Sequence, residues 1–210
     1  SYAQMLREGG DPGAAADLMR DAVALVPGWT AGWFRLGEML EEAGRLAEAA
    51  DAWREVLRLD AADRLGATLK LQLVGQIDGI DAPPAAFVEA LFDQYAERFD
   101  KSLVEKLDYR VPQLLCAAIE RLDRGGFAHL LDLGCGTGLL GERMRGRVSF
   151  IEGLDLSAGM LRKAEAKQVY DRLVQGDLNA VEIPGGTDLV AAADVFMYVG
   201  AIDATARRVA

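Results

Sequence analysis

The chain has 210 residues, 51% of them hydrophobic and 27% charged, with a formal net charge of −10. That length suits one or two small globular domains, and the excess of acid repels a phosphate backbone, which argues against a broad nucleic-acid-binding face. Two cysteines and one histidine exclude a disulfide framework, a cysteine zinc site and any site built on two imidazoles.

No signal peptide is expected at the start of this sequence, since Ser1 to Gly10 lacks an apolar h-region. No apolar run approaches the roughly 18–20 residues that span a bilayer. The expected setting is a reducing cytoplasm, away from membranes.

Displacing the sequence on itself by 34 residues pairs Ala3 with Gly37, Leu6 with Leu40, Gly10 with Gly44, Ala15 with Ala49, and Met19 with Trp53. One supersecondary unit is therefore used twice, each copy predicted as two helices joined by a tight turn at Gly10-Asp11-Pro12-Gly13 or Gly44-Arg45. Ala15 and Ala49 let the paired helices approach, while Leu40 and Trp53 fill the space between units. The second unit, Trp33-x-x-Leu36-Gly37 with Leu40, Ala49 and Trp53, resembles the tetratricopeptide (TPR) family. The first unit matches in part and begins mid-pattern at Ser1, so further residues are expected upstream. Residues 63–75 continue as a capping helix, giving a repeat domain over 1–75. That resemblance implies a surface for a protein partner; the same residues also suit a small packed bundle.

Residues 76–84 form the predicted linker, rich in turn formers and ending in Pro83-Pro84. Helices are predicted over Ala85–Arg98, Lys101–Leu107 and Pro112–Leu122. The hydrophobic period then changes. Phe127–Leu133 reads as a buried strand and Gly138–Arg145 as a helix. A strand over Phe150–Asp155, a helix over Ala158–Lys167, and strands over Arg172–Gln175 and Thr187–Ala193 follow. Strands alternating with helices indicate a doubly wound, mostly parallel α/β sheet over residues 85–210. Four strands are few for such a sheet, so it is expected to be incomplete at its C-terminus.

The strongest chemical signal is Leu130-Leu-Asp-Leu-Gly-Cys-Gly-Thr-Gly-Leu-Leu-Gly141, a strand running into alternate glycines and then a helix. Glycines permit backbone conformations closed to other residues and let a ligand lie on the main chain. In parallel sheets that turn sits at the ligand crevice, past the carboxyl ends of the strands. Gly136-x-Gly138-x-x-Gly141 also satisfies the dinucleotide pattern, which would imply NAD or FAD and an oxidoreductase. Asp132, two residues before Gly134, disfavours a pyrophosphate and suits a ligand carrying a cationic amine.

The arrangement Asp132-x-Gly134-x-Gly136-x-Gly138 resembles motif I of the class I S-adenosylmethionine-dependent methyltransferases, a Rossmann-like fold. The resemblance implies S-adenosyl-L-methionine as cofactor, S-adenosyl-L-homocysteine as product, and the turn Gly134, Cys135, Gly136 and Gly138 against the cofactor. It implies that Asp155 accepts from the ribose hydroxyls and that Leu156 packs on adenine; Met160 follows in the similar segment Gly153–Leu161. It further implies Asp177 at the adenine amine, the backbone of Leu178 on the ring, and Ala193 with Asp194 at the methyl-transfer point. Phe92-Asp-Gln-Tyr-Ala-Glu-Arg-Phe-Asp100 resembles the lid helix of small-molecule methyltransferases, making Tyr95 a cofactor contact and Phe92 and Phe99 core or lid. The whole chain resembles methyltransferases carrying N-terminal TPR repeats. The methyl acceptor, a small molecule or a protein, is not legible, and no residue is assigned a catalytic role. A non-catalytic scaffold with a methyltransferase-like half stays open beside the enzyme.

Overall fold

A computed structural model describes residues 2–101, 108–122, 126–182, 184–200 and 202–209. The helix expected over Lys101–Leu107 lies almost wholly outside the described residues. The chain forms two compact units, Ser1–Phe87 and Val88–Ala210.

The first unit is helical: α1 (Tyr2–Glu8), α2 (Pro12–Leu25), α3 (Thr30–Glu42), α4 (Leu46–Leu59) and α5 (Ala67–Leu73). The repeat explains its packing. Ala15, Ala49 and Trp53 are fully buried and Leu40 nearly so, and the indole Nε1 of Trp53 donates to the Phe34 carbonyl at 3.3 Å. The ring lies so close to α3 that a Cβ on Gly37 would fall 2.2 Å from its Nε1. Gly10 and Gly44 each end a helix at positive φ, +89° and +74°, the left-handed conformation that glycine accepts without steric cost. Asp63 replaces a conventional cap, its two carboxylate oxygens accepting from Ala67 N at 2.6 Å and Thr68 N at 2.9 Å at the start of α5.

The second unit begins in α6 (Ala85–Tyr95), continues as a 3-10 turn, Ala96–Arg98, and then α7 (Val111–Glu120). Its sheet comprises β1 (Phe127–Leu133), β2 (Val148–Asp155), β3 (Arg172–Gln175) and β4 (Leu189–Ala192), with α8 (Leu139–Met144) and α9 (Ala158–Ala166) as crossovers. The order is β3-β2-β1-β4 and every pairing is parallel. After β4 come a 3-10 turn, Phe196–Tyr198, and α10 (Ile202–Val209). Alternation along β1 splits the core: Leu130 packs with Leu140, Met144 and Ile151 on one face, Leu131 and Leu133 with Leu154, Leu178 and Val199 on the other. Asp132 shares the face of Leu130, which turns a carboxyl group into an apolar layer.

Candidate functional site

The chain leaves β1 for β2 on one side while β4 lies on the other, so β1 and β4 bound the point where strand order reverses, the usual ligand crevice of an open parallel sheet. The register aligns the carboxyl ends there: Leu133 pairs with Leu154 and with Ala192, and Asp155 with Gln175. The turn after β1 carries φ of +65° at Gly134, +54° at Gly136 and +88° at Gly138. A Cβ on Gly134 would lie 2.4 Å from Val195 Cγ2, whereas one on Gly136 would meet nothing within 4 Å. Gly136 is thus required by its dihedral alone, and its backbone faces open space.

Beneath the turn is a small cavity of about 50 Å³ whose described walls include Phe99, Tyr109, Asp132, Gly134, Thr137 and Ala193. Asp132, Gly134, Cys135, Gly136 and Ala193, five of the sequence-predicted residues, meet there. Asp132 is fully buried. Its Oδ2 accepts from the Tyr170 hydroxyl at 2.7 Å, while its Oδ1 has no partner among the described residues. Burial pushes its carboxyl up to about 7, the Tyr170 hydrogen bond pulling down and the Asp155 charge pushing up. Cys135 is buried too, and desolvation holds its thiol far above the ordinary range, which removes it as a nucleophile.

Asp155 joins the turn from β2. Its Oδ2 accepts from Gly136 N and its Oδ1 from Ser157 N, both at 2.8 Å. Desolvation raises its pKa despite those donors. Ser157 caps α9, its Oγ accepting from Met160 N at 3.0 Å. Asp177 stands past β3, half-buried, accepting from Asn179 N at 2.8 Å. Leu156 is half-buried beside Asp155, whereas Met160 and Leu178 turn their side chains into the interior. Asp194 is exposed at φ +54° and faces Tyr109, whose hydroxyl is pushed up first by burial and then by the Asp194 charge. Tyr95 is 40% exposed and sets its ring edge-on to Phe99, one ring out from the cavity.

Sequence reasoning gave no role to Tyr109, Thr137, Tyr170 or the acidic face of the α6 segment. On that segment Asp93 Oδ1 accepts from Ser157 Oγ at 2.5 Å and Gly159 N at 2.7 Å. Glu97 pairs with Lys163 at 2.7 Å, Asp100 with Lys167 at 3.0 Å, and Asp100 also accepts from Thr137. The four-residue spacing of Asp93 and Glu97 was visible; its partners are up to 66 residues away. No three or more His, Cys, Asp or Glu among the described residues are grouped to hold a metal, and no described helix is long and apolar enough to cross a membrane.

A parallel sheet with its glycine turn at the strand-order reversal defines a Rossmann-like ligand-binding unit. Comparison with known proteins narrows that class. The methyltransferase domain family matches residues 130–210 and the tetratricopeptide repeat family residues 30–63. The second unit is thus similar over residues 130–210 to methyltransferase domains, and the first over residues 30–63 to tetratricopeptide repeats. Malonyl-[acyl-carrier protein] O-methyltransferase of Enterobacter lignolyticus is 39% identical over 67 residues, 32% of this chain and 27% of that protein. Human methyltransferase-like protein 27 is 31% identical over 115 residues, 53% of this chain and 45% of that one. Among solved structures, an S-adenosylmethionine-dependent methyltransferase from Clostridium acetobutylicum is 28% identical, with 49% of this chain and 43% of that chain covered and a TM-score of 0.39. The chain spans less than half the length of these two curated relatives.

Proposed function

We propose that the second unit binds S-adenosyl-L-methionine at the glycine turn and transfers its methyl group to a small-molecule or protein acceptor, releasing S-adenosyl-L-homocysteine, while the repeat unit contacts a substrate or partner. The carrying observation is the Asp132 carboxyl: fully buried, with one oxygen unpaired, on a cavity whose described walls hold no lysine or arginine. An unpaired buried acceptor is costly. A cationic amine satisfies it and makes the ionised form of Asp132 favourable, whereas a pyrophosphate there would meet the acid with no counter-charge. About 50 Å³ suits a terminal group of that kind. The family match over residues 130–210 supports the same reading.

The cofactor supplies a methyl group on a positively charged sulfur. The protein's part is to hold, align and exclude water, which in well-oriented systems contributes up to about 7–11 kcal/mol. Asp132 lines the cavity with one oxygen bonded to Tyr170 and the other open, Asp155 holds the turn through Gly136 N, and Phe99 and Tyr109 wall the cavity. Asp194 and Tyr109 stand together past β4, where an acceptor proton could pass to a carboxylate. The test is calorimetric titration with S-adenosyl-L-homocysteine and, separately, NADH. The expected result is binding of the first alone, weakened at least about tenfold by Asp155→Ala, the loss of a hydrogen bond to a charged group. Binding of NADH with no response to S-adenosyl-L-homocysteine would overturn the assignment.

A further inference from the structure

Tyr170 lies just before β3, outside every motif, yet it packs against the glycine turn. Its ring wedges between the turn, α8 and β2. A Cβ on Gly138 would come 3.0 Å from its Cε2, one on Gly141 2.5 Å from its Cζ, and one on Gly153 2.8 Å from its Cε1. Three glycines thus leave room for one side chain. Gly138 and Gly141 are the last two glycines of the dinucleotide-like pattern, and the Tyr170 ring fills the space beside them. The ring ends at Asp132, where the hydroxyl donates to Oδ2 at 2.7 Å. Burial first, and the Asp132 charge next, push the Tyr170 phenol far above its ordinary pKa, so it remains a donor throughout the accessible pH range.

We propose that Tyr170 is a positioning residue of the ligand site: its ring sets the seat of the glycine turn, and its hydroxyl occupies Oδ2 of Asp132 so that Oδ1 is presented to a cationic group of the ligand. The proposal rests on the reading of this site as one for S-adenosyl-L-methionine. A carboxyl group in an apolar layer can rotate or take up a proton; one short bond from a fixed phenol prevents the first and opposes the second. The ionisable groups that face Asp132 are Tyr170 before β3, Tyr109 before α7, Asp155 at the end of β2, Cys135 in the turn and Cys116 on α7. Tyr170 alone among them donates a hydrogen bond to it.

The experiment is Tyr170→Phe, which keeps the ring and removes the hydroxyl, measured alone and in an Asp132→Asn background. Melting without ligand and titration with S-adenosyl-L-homocysteine are followed from mildly acidic to mildly alkaline pH. At acidic pH, where Asp132 holds its proton, the variant should fall short of the parent only by the loss of one neutral hydrogen bond. As pH rises it should fall away from the parent, since losing the hydroxyl raises the carboxyl's pKa further. Affinity for S-adenosyl-L-homocysteine should drop about tenfold at neutral pH and recover in part toward alkaline pH. In the Asp132→Asn background Tyr170→Phe should add no further loss beyond about twofold. Equal losses in both backgrounds, or ligand-free melting curves that superimpose at every pH, would overturn the proposal. Failure of the parent protein to bind S-adenosyl-L-homocysteine would instead sink the reading of the site, and the ligand-free curves would still decide whether Tyr170 controls Asp132.

Discussion

Asp132 makes the stability of the second unit depend on pH in a direction opposite to that of a salt-bridged carboxylate. Its carboxyl titrates at about 7 in the folded chain against an ordinary value of 3.8. Between those values the native state binds a proton that the unfolded chain has released, so stability falls as pH rises. The penalty is absent below about pH 4, grows from there, and is complete above about pH 7. The full gap, from 3.8 to about 7 at 1.36 kcal/mol per pH unit, is an upper bound of about 4 kcal/mol. Of this, about 3 kcal/mol falls between about pH 5 and about pH 8, equivalent to roughly 10–15 °C in melting temperature for a unit of this size. Asp155 is shifted in the same direction, so the wild-type slope contains both. Asp132→Asn isolates the first, because the amide oxygen still accepts from Tyr170 and carries no charge. The assay is urea unfolding by far-ultraviolet circular dichroism, with tryptophan fluorescence as an internal control. All three tryptophans, Trp29, Trp33 and Trp53, lie in the first unit, so their transition should be the same in both proteins. The wild type should lose about 3 kcal/mol relative to Asp132→Asn across that range. A difference between the two that stays flat would refute the assignment of a raised, buried carboxyl to this position.

Further outcomes follow from the same geometry. Gly134→Ala puts a Cβ 2.4 Å from Val195 at φ +65°; it should cost at least about 2 kcal/mol in the second unit, and an unchanged denaturation midpoint would contradict the turn conformation. Gly37→Ala should destabilise the first unit by about 1–3 kcal/mol, because the new methyl meets the Trp53 ring. Alanine is the better helix former by about 1 kcal/mol, so a stabilised tryptophan-fluorescence transition would show that the ring is not seated there. Ser157→Ala removes the α9 cap and a donor to Asp93; the expected loss is about 1 kcal/mol, read from the midpoint of unfolding.

Patterns that depend only on neighbours along the chain were legible from the sequence. The 34-residue displacement placed the helices of the first unit and its Gly10 and Gly44 turns, because repeat register and left-handed glycine are local properties. The change from helical to strand periodicity located all four strands, and Asp132 with the three alternate glycines marked the crevice. Some boundaries moved. β2 begins two residues earlier, at Val148, and β4 shortens to Leu189–Ala192, since pairing with a neighbouring strand rather than hydrophobicity sets where a ladder ends. What only the tertiary structure decided is which side chains complete the site. Tyr170 lies 38 residues beyond Asp132, and the acidic residues of the α6 segment reach α9 across more than sixty. Neither has a periodic signature, because a hydrogen bond between residues far apart in sequence exists only once the sheet has brought them together. The burial that lifts Asp132 is a property of that assembled layer, not of the residues beside it in the chain.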